Sequence, residues 1–220
     1  MLSIVLTGAA LLSGSKNAAL PEKDIDGTIF LVNRQHVISE QYVPEPLRKT
    51  QVHGMSQSMR EDAAAALEEL FQAAQSDGIK LSSVSGYRSY SKQSLIYSRK
   101  VGRTGSEAEA DKLVARPGAS EHQLGLAMDL ATRNSSTLSE KFGSTPEGQW
   151  VYANCQRFGF IVRYLKGYED VTGYSFEPWH IRYVGPEHAE AIAASGLPFE
   201  TYLSGWKLEL YDYLLHHAMN

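Results

Sequence analysis

The sequence predicts one α+β domain, a small antiparallel sheet flanked by helices around a cleft. Three observations carry that expectation: a composition close to the soluble globular average, one strongly periodic helix, and several short strand-like runs bounded by glycine and proline. With 220 residues, 43% of them hydrophobic and 21% charged, the chain can bury roughly 70% of the surface its unfolded form exposes. Disorder, collagen and coiled coil are thereby excluded as the main state. The net charge is −4 with no concentrated Lys/Arg window, so no nucleic-acid partner is expected. A single cysteine, Cys155, excludes a disulfide framework and any Cys-rich metal site.

Taken in order, residues 2–12 (LSIVLTGAALL) have the length of a signal-peptide apolar segment and are too short to span a bilayer, which takes roughly 20 residues. Only the terminal amine supplies positive charge before them. The stretch Leu12-Ser13-Gly14-Ser15 has the shape of a lipoprotein box with serine in the cysteine position, so no lipid attachment is expected. The chain therefore divides into a signal peptide and spacer over 1–26, a domain over 27–204 and a tail over 205–220, with an extracytoplasmic destination, no transmembrane span and a monomeric state. Residues 29–32 (IFLV) read as a strand, followed by a proline-punctuated loop through Pro44 and Pro46.

Residues 61–75 place Ala63, Leu67, Leu70, Phe71 and Ala74 at helical spacing, and Gly78 supplies the stop. Residues 80–87 read as a strand, after which Ser89 or Ser91 caps a second helix carrying Leu95, Ile96 and Tyr97. A short acidic helix follows over 106–114. Ser144-Thr145-Pro146-Glu147 is a capping signature that opens a helix ending at Gly159, with Cys155 packed on its apolar side. Residues 160–164 (FIVRY) and 179–184 read as strands, and Pro186 opens a helix closed by Gly196. The last 15 residues are rich in leucine and aromatics, which favours docking on the domain.

Seven histidines are present, and two sit in dense polar-aromatic contexts: His122 in SEHQLGLAMD and His180 in EPWH. His36, His53, His188, His216 and His217 lie in settings that suit solvation or simple packing. A hydrolytic zinc site takes three imidazole or carboxylate ligands and leaves a position open. His122, Asp129 and His180 supply that count. Gly125 permits a tight turn, and a strand over 126–130 turns Leu126, Met128 and Leu130 to the core while Ala127 and Asp129 face the other way. Pro178 argues against a helix, and a strand from Trp179 puts His180 and Arg182 on one face. Glu177 lies close enough to act on water at such a site. The alternative is two hydrogen-bonded core histidines, a capping aspartate and a solvated glutamate.

At these residues the sequence resembles the zinc carboxypeptidases of the VanY and LdcB type, in the wider group of D-alanyl-D-alanine peptidases that includes the VanX dipeptidases. The family pattern Ser-x-His-x-x-Gly-x-Ala-x-Asp is matched by Ser120, His122, Gly125, Ala127 and Asp129. Glu-x-x-His is matched by Glu177 and His180, and Ser-Gly-Tyr-Arg-Ser by residues 85–89. Similarity extends over about 30–203. The resemblance implies a zinc-bearing cleft with His122, Asp129 and His180 as ligands and Glu177 as catalytic base. It implies Arg88 on the substrate carbonyl or its oxyanion, Ser120 on the substrate terminus, and Tyr87, Gln93 and Arg116 as further substrate-side residues. The implied substrate is a peptidoglycan stem peptide losing its C-terminal D-alanine, by D,D- or L,D-cleavage. A D-Ala-D-Ala dipeptidase and a catalytically weak peptidoglycan-binding module of the same fold are the competing readings.

Overall fold

A computed structural model of the chain describes residues 25–207. The signal-peptide reading and most of the 205–220 tail lie outside the described residues. The elements run β1 (Leu47–Lys49), β2 (Ser58–Arg60), α1 (Glu61–Ser76), β3 (Leu81–Ser85), α2 (Tyr90–Thr104) and α3 (Glu107–Asp111). They continue through β4 (Ala127–Thr132), α4 (Pro146–Asn154), β5 (Phe160–Tyr164), α5 (Glu169–Thr172), β6 (Glu177–Tyr183) and α6 (Pro186–Ser195). A further helical segment begins at 199. No helix among the described residues is long and apolar enough to cross a membrane.

The main sheet has the order β3-β4-β6-β5, with every neighbouring pair antiparallel. Its two central strands carry the chemistry. On one face Met128, Leu130, Phe160 and Ile181 pack with Leu67 and Leu70 of α1, each fully buried apolar side chain contributing about 1.5–3 kcal/mol. Helix α1 presents Ala63, Leu67, Leu70 and Ala74 at the expected spacing and carries Glu61 and Asp62 in its first turn, where acidic groups favour the helix dipole. A second cluster, with Ile161, Val184, Ile192 and Phe199, covers part of the opposite face.

The local signals worked where a side chain caps a helix. Ser89 Oγ, rather than that of Ser91, accepts from the Lys92 amide. Thr145 caps α4 with Pro146 in its first turn, accepting from the Gly148 amide at 3.1 Å. The turn after α4 ends at Gly159, as expected. Helix α3 is shorter than the 106–114 reading, and β6 starts two residues earlier than expected.

One strand does not form. Residues 29–32 run without a ladder, because Arg182 Nη2 donates to the Thr28 and Phe30 carbonyls and so offers this segment side-chain partners instead of a strand. The β1–β2 pair was not anticipated, since three-residue strands carry too little periodicity to read.

Cys155 is buried in the main core, as its place in the sequence suggested, and burial pushes its thiol up to about 12. Thiolate is the reactive form. A thiol-titrating disulfide reagent at about pH 8 is therefore expected to leave Cys155 unmodified in the folded chain and to modify it fully once guanidinium unfolds it. Fast labelling of the folded chain would contradict this placement.

Candidate metal centre and its cleft

His122 lies in a 3-10 turn, Glu121–Leu124, that ends at Gly125 with φ +69°. A Cβ there would crowd Leu47 and the Arg60 amide, so glycine is required both by the left-handed backbone and by the close approach. The turn and the loop leading into it are held from outside: the Ile38 amide donates to the Gly118 carbonyl of that loop, and Gln123 Nε2 of the turn donates to the Ser39 carbonyl at 2.8 Å. His122 Nδ1 lies 2.8 Å from the Gly86 carbonyl, which fixes the ring so that Nε2 faces Asp129 Oδ2 at 3.3 Å. Gly86 itself has no room for a side chain, since a Cβ would sit 2.6 Å from the Ser58 carbonyl oxygen.

Asp129 of β4 and His180 of β6 are direct cross-strand partners, which places their side chains on the same sheet face. His180 Nδ1 lies 3.2 Å from Asp129 Oδ1 and 3.8 Å from Glu177 Oε2. In a regular strand residues three apart point to opposite faces. Here the β5–β6 pairing slips, from Val162 opposite Ile181 to Tyr164 opposite Glu177, and this bulge brings Glu177 round to the His180 side. Pro178, which could not donate to a ladder, sits in the slipped stretch.

One ligand atom from each of His122, Asp129 and His180 falls within 4.8 Å of the others, and all three residues are buried. Four-coordinate zinc with bonds of about 2.0–2.1 Å sets neighbouring ligand atoms roughly 3.3 Å apart; here each histidine nitrogen faces its own Asp129 oxygen, His122 Nε2 at 3.3 Å and His180 Nδ1 at 3.2 Å. His122 Nε2 and Asp129 Oδ1 are buried without a hydrogen bond, a state that native proteins rarely tolerate for polar atoms. The donor set and its unsatisfied atoms thus fit a divalent cation of the zinc type.

Charge is distributed unevenly over these groups. Burial and the Arg88 cation push His122 down to about 4, leaving a neutral imidazole with a free lone pair at neutral pH. Burial would raise Asp129, but His122 and His180 outweigh it and hold the carboxylate ionised. Burial would lower His180, but Asp129 and Glu121 raise it to about 9. Glu177 is raised to about 7, chiefly by burial, with Asp129 adding to and His180 opposing the rise.

A cleft of about 510 Å³ opens over this floor, and Arg88, Ser120 and Glu177 line it with the three candidate ligands. Arg88 Nη1 donates to Gln93 Oε1 at 2.9 Å, and Nη2 to Asp129 Oδ2 at 3.3 Å. Three expected substrate-side residues do not line the cleft. Gln93 is fully buried and reaches the site only through Arg88, its amide also donating to the Ala115 carbonyl. Arg116 is held at the surface by Asp111 and Glu107 and stacks on Tyr97. Tyr87 is half-buried, its amide bonded to the Ser58 carbonyl at 2.7 Å.

Sequence reading passed over Glu121. Its side chain is fully buried and pairs with Arg163 and Arg182. Nothing in its immediate neighbours marks it, because both arginines come from distant strands.

The VanY family model, described as D-alanyl-D-alanine carboxypeptidase, matches residues 56–186. A D-alanyl-D-alanine carboxypeptidase of Enterococcus faecalis is 42% identical over 188 residues, covering 80% of this chain and 66% of the relative, so the chain spans about two thirds of that protein. Among solved structures, the LdcB LD-carboxypeptidase superposes with a TM-score of 0.75 at 43% identity, covering 80% of this chain and 86% of that one. The vancomycin-resistance D,D-pentapeptidase VanY, solved with Zn(II), gives a TM-score of 0.70 at 38% identity, covering 80% and 98%.

The Gln93 brace makes a stability prediction. Gln93→Leu leaves the part-buried Ala115 carbonyl and Arg88 Nη1 without their Gln93 partner, a loss of about 1–3 kcal/mol. Urea denaturation of the variant is expected to read a deficit in that range; an unchanged midpoint would show the brace to be dispensable.

Proposed function

The chain belongs to the VanY family of D-alanyl-D-alanine carboxypeptidases, and from that premise we propose that it is a zinc-dependent carboxypeptidase removing the C-terminal D-alanine from peptidoglycan stem peptides. The observation that carries this reading is the convergence of His122, Asp129, His180 and Glu177 on one buried floor beneath a cleft lined by Arg88. In it His122 Nε2, Asp129 and His180 Nδ1 hold the ion, and Glu177 acts as base. The substrate lies in the cell wall, so the site of action is extracytoplasmic; the apolar run at 2–12 is the candidate export signal.

Zinc, when bound, supplies Lewis-acid polarisation of a carbonyl and acidification of water. The chain's own groups supply the rest. Glu177, half-buried and beside His180, takes the proton from the attacking water on a carboxylate oxygen and returns it to the departing amine of D-alanine. Arg88 is a permanent cation whose guanidinium borders the cleft, where it pairs with the developing oxyanion or the substrate carboxylate. Its bond to Gln93 keeps it aimed before substrate arrives. Ser120 lines the same cleft and offers a hydroxyl to the substrate terminus.

A binding module of the same fold would need no base, and the presence of Glu177 beside His180 in the cleft favours turnover over that reading. On this reading the residue preceding the cut would meet the cleft walls rather than the donor set, so that D,D and L,D specificity would differ in wall shape around one chemistry.

The full chain, offered synthetic stem tetra- and pentapeptides with and without a chelator, is expected to release D-alanine in a chelator-sensitive reaction. Release from the tetrapeptide marks L,D-cleavage and release from the pentapeptide D,D-cleavage. Binding with no release from either overturns the enzymatic reading.

Glu177→Gln is expected to retain zinc and to lower kcat/KM by about 10²- to 10⁴-fold, whereas His180→Ala is expected to lose zinc as measured by elemental analysis. Near-normal turnover in the first variant removes Glu177 as base, and unchanged zinc in the second removes His180 from the ligand set. Arg88→Ala is expected to cost about 10²- to 10³-fold in kcat, and a change confined to KM would make Arg88 a ground-state binding group instead.

A further inference from the structure

Glu121 stands directly before His122 in the chain, yet its side chain serves the other histidine. Its carboxylate is divided. Oε1 accepts from Arg163 Nε at 2.7 Å and faces Arg182 Nη1 at 3.0 Å, while Oε2 lies 3.3 Å from His180 Nε2. Both arginines are fully buried. Arg163 is held in turn by a two-pronged pair with Glu200, at 2.9 and 2.6 Å, and Arg182 by the Tyr183, Thr28 and Phe30 carbonyls. The Phe199 ring lies under both guanidiniums.

A carboxylate removed from water requires partners, and two guanidiniums on one oxygen already supply them. A purely structural cluster would have no use for the second oxygen pointing at an imidazole. That oxygen accepts a hydrogen bond from His180 Nε2–H and so keeps the proton on Nε2, leaving Nδ1, beside Asp129 Oδ1 at 3.2 Å, as the nitrogen that gives up its proton to a cation. His122 is set the opposite way: its Nδ1–H is directed to the Gly86 carbonyl and Nε2 faces the centre. The two rings thus reach the same point through different nitrogens, each fixed by a partner behind it.

We infer that Glu121 is a positioning residue of the metal centre, holding His180 as the Nε2–H tautomer, and that Arg163, Arg182 and Glu200 anchor it to β5, β6 and the segment after α6. The inference rests on His122, Asp129 and His180 being the ligands. Outer partners of ligating histidines typically contribute about 10- to 100-fold in metal affinity.

The test uses the full chain. In the zinc-loaded wild type labelled with ¹⁵N-histidine, His180 is expected to show a protonated, slowly exchanging Nε2 and a metal-bound Nδ1; the reverse assignment overturns the inference without need of a variant. Glu121→Gln is expected to weaken zinc about 10- to 100-fold in a chromophoric-chelator competition and to shift the visible bands of the Co²⁺-substituted protein. Equal zinc affinity with unchanged Co²⁺ bands in a folded Glu121→Gln protein overturns the role of Glu121 alone. A wild-type chain that takes up no zinc overturns the ligand assignment and this role with it.

Discussion

The pairing of β4 with β6 is the constraint on which the site depends. It sets Asp129 opposite His180, so two of the three candidate ligands are neighbours by virtue of sheet register alone. A slip of one residue would turn His180 to the other face and Ile181 towards the cleft. The alternation on both strands opposes that slip, because Met128, Leu130 and Ile181 would then leave the core against α1. Hydrophobic burial on one face of the sheet therefore holds the polar geometry on the other.

That polar face gathers an unusual amount of buried charge. Asp129, Glu121, Arg163 and Arg182 are all buried, and Glu177 is nearly so. None could stay ionised alone at acceptable cost. Glu121 and Asp129 find their counter-charges on other elements: Glu121 on the 3-10 turn meets arginines from β5 and β6, and Asp129 on β4 meets Arg88 from the loop before α2. Electrostatic satisfaction thus ties together the same segments that the chemistry needs adjacent. Disturbing one partner leaves an uncompensated buried charge, which makes this half of the domain sensitive to single substitutions in a way that the α1 face, built from interchangeable apolar contacts, is not.

How much of this was legible in the sequence follows from the range of each signal. Helix α1 and the capped starts of α2 and α4 were readable because capping and periodicity are local. His122, Asp129 and His180 were readable because their neighbours are glycine, proline and tryptophan, and because strand alternation fixes which way Asp129 and His180 face. Glu121 was not, since a charged residue beside a ligand reads as solvated until the partners from β5 and β6 are known. The bulge that turns Glu177 towards His180 was likewise hidden: a spacing of three along a strand argues for opposite faces, and only the slipped β5–β6 register reverses it. Residues 29–32 have the composition of a strand, but a single guanidinium, that of Arg182, takes up the carbonyls on either side of Ile29.

The division between floor and walls gives the architecture its latitude. The donor atoms sit on β4, β6 and a glycine-closed turn, elements whose positions are fixed by ladders and packing, as metal coordination requires to within about 0.5 Å. The cleft walls come in part from α2, through Ile96 and Lys100, and in part from connecting segments, with Val114 after α3, Leu138 before α4, and Tyr174 and Phe176 before β6. Loops tolerate substitution because few backbone bonds depend on them. A substitution in such a wall segment leaves the β4–β6 register, and with it the facing of Asp129 and His180, in place. The geometry of the candidate donor set is therefore independent of the shape of the cleft above it.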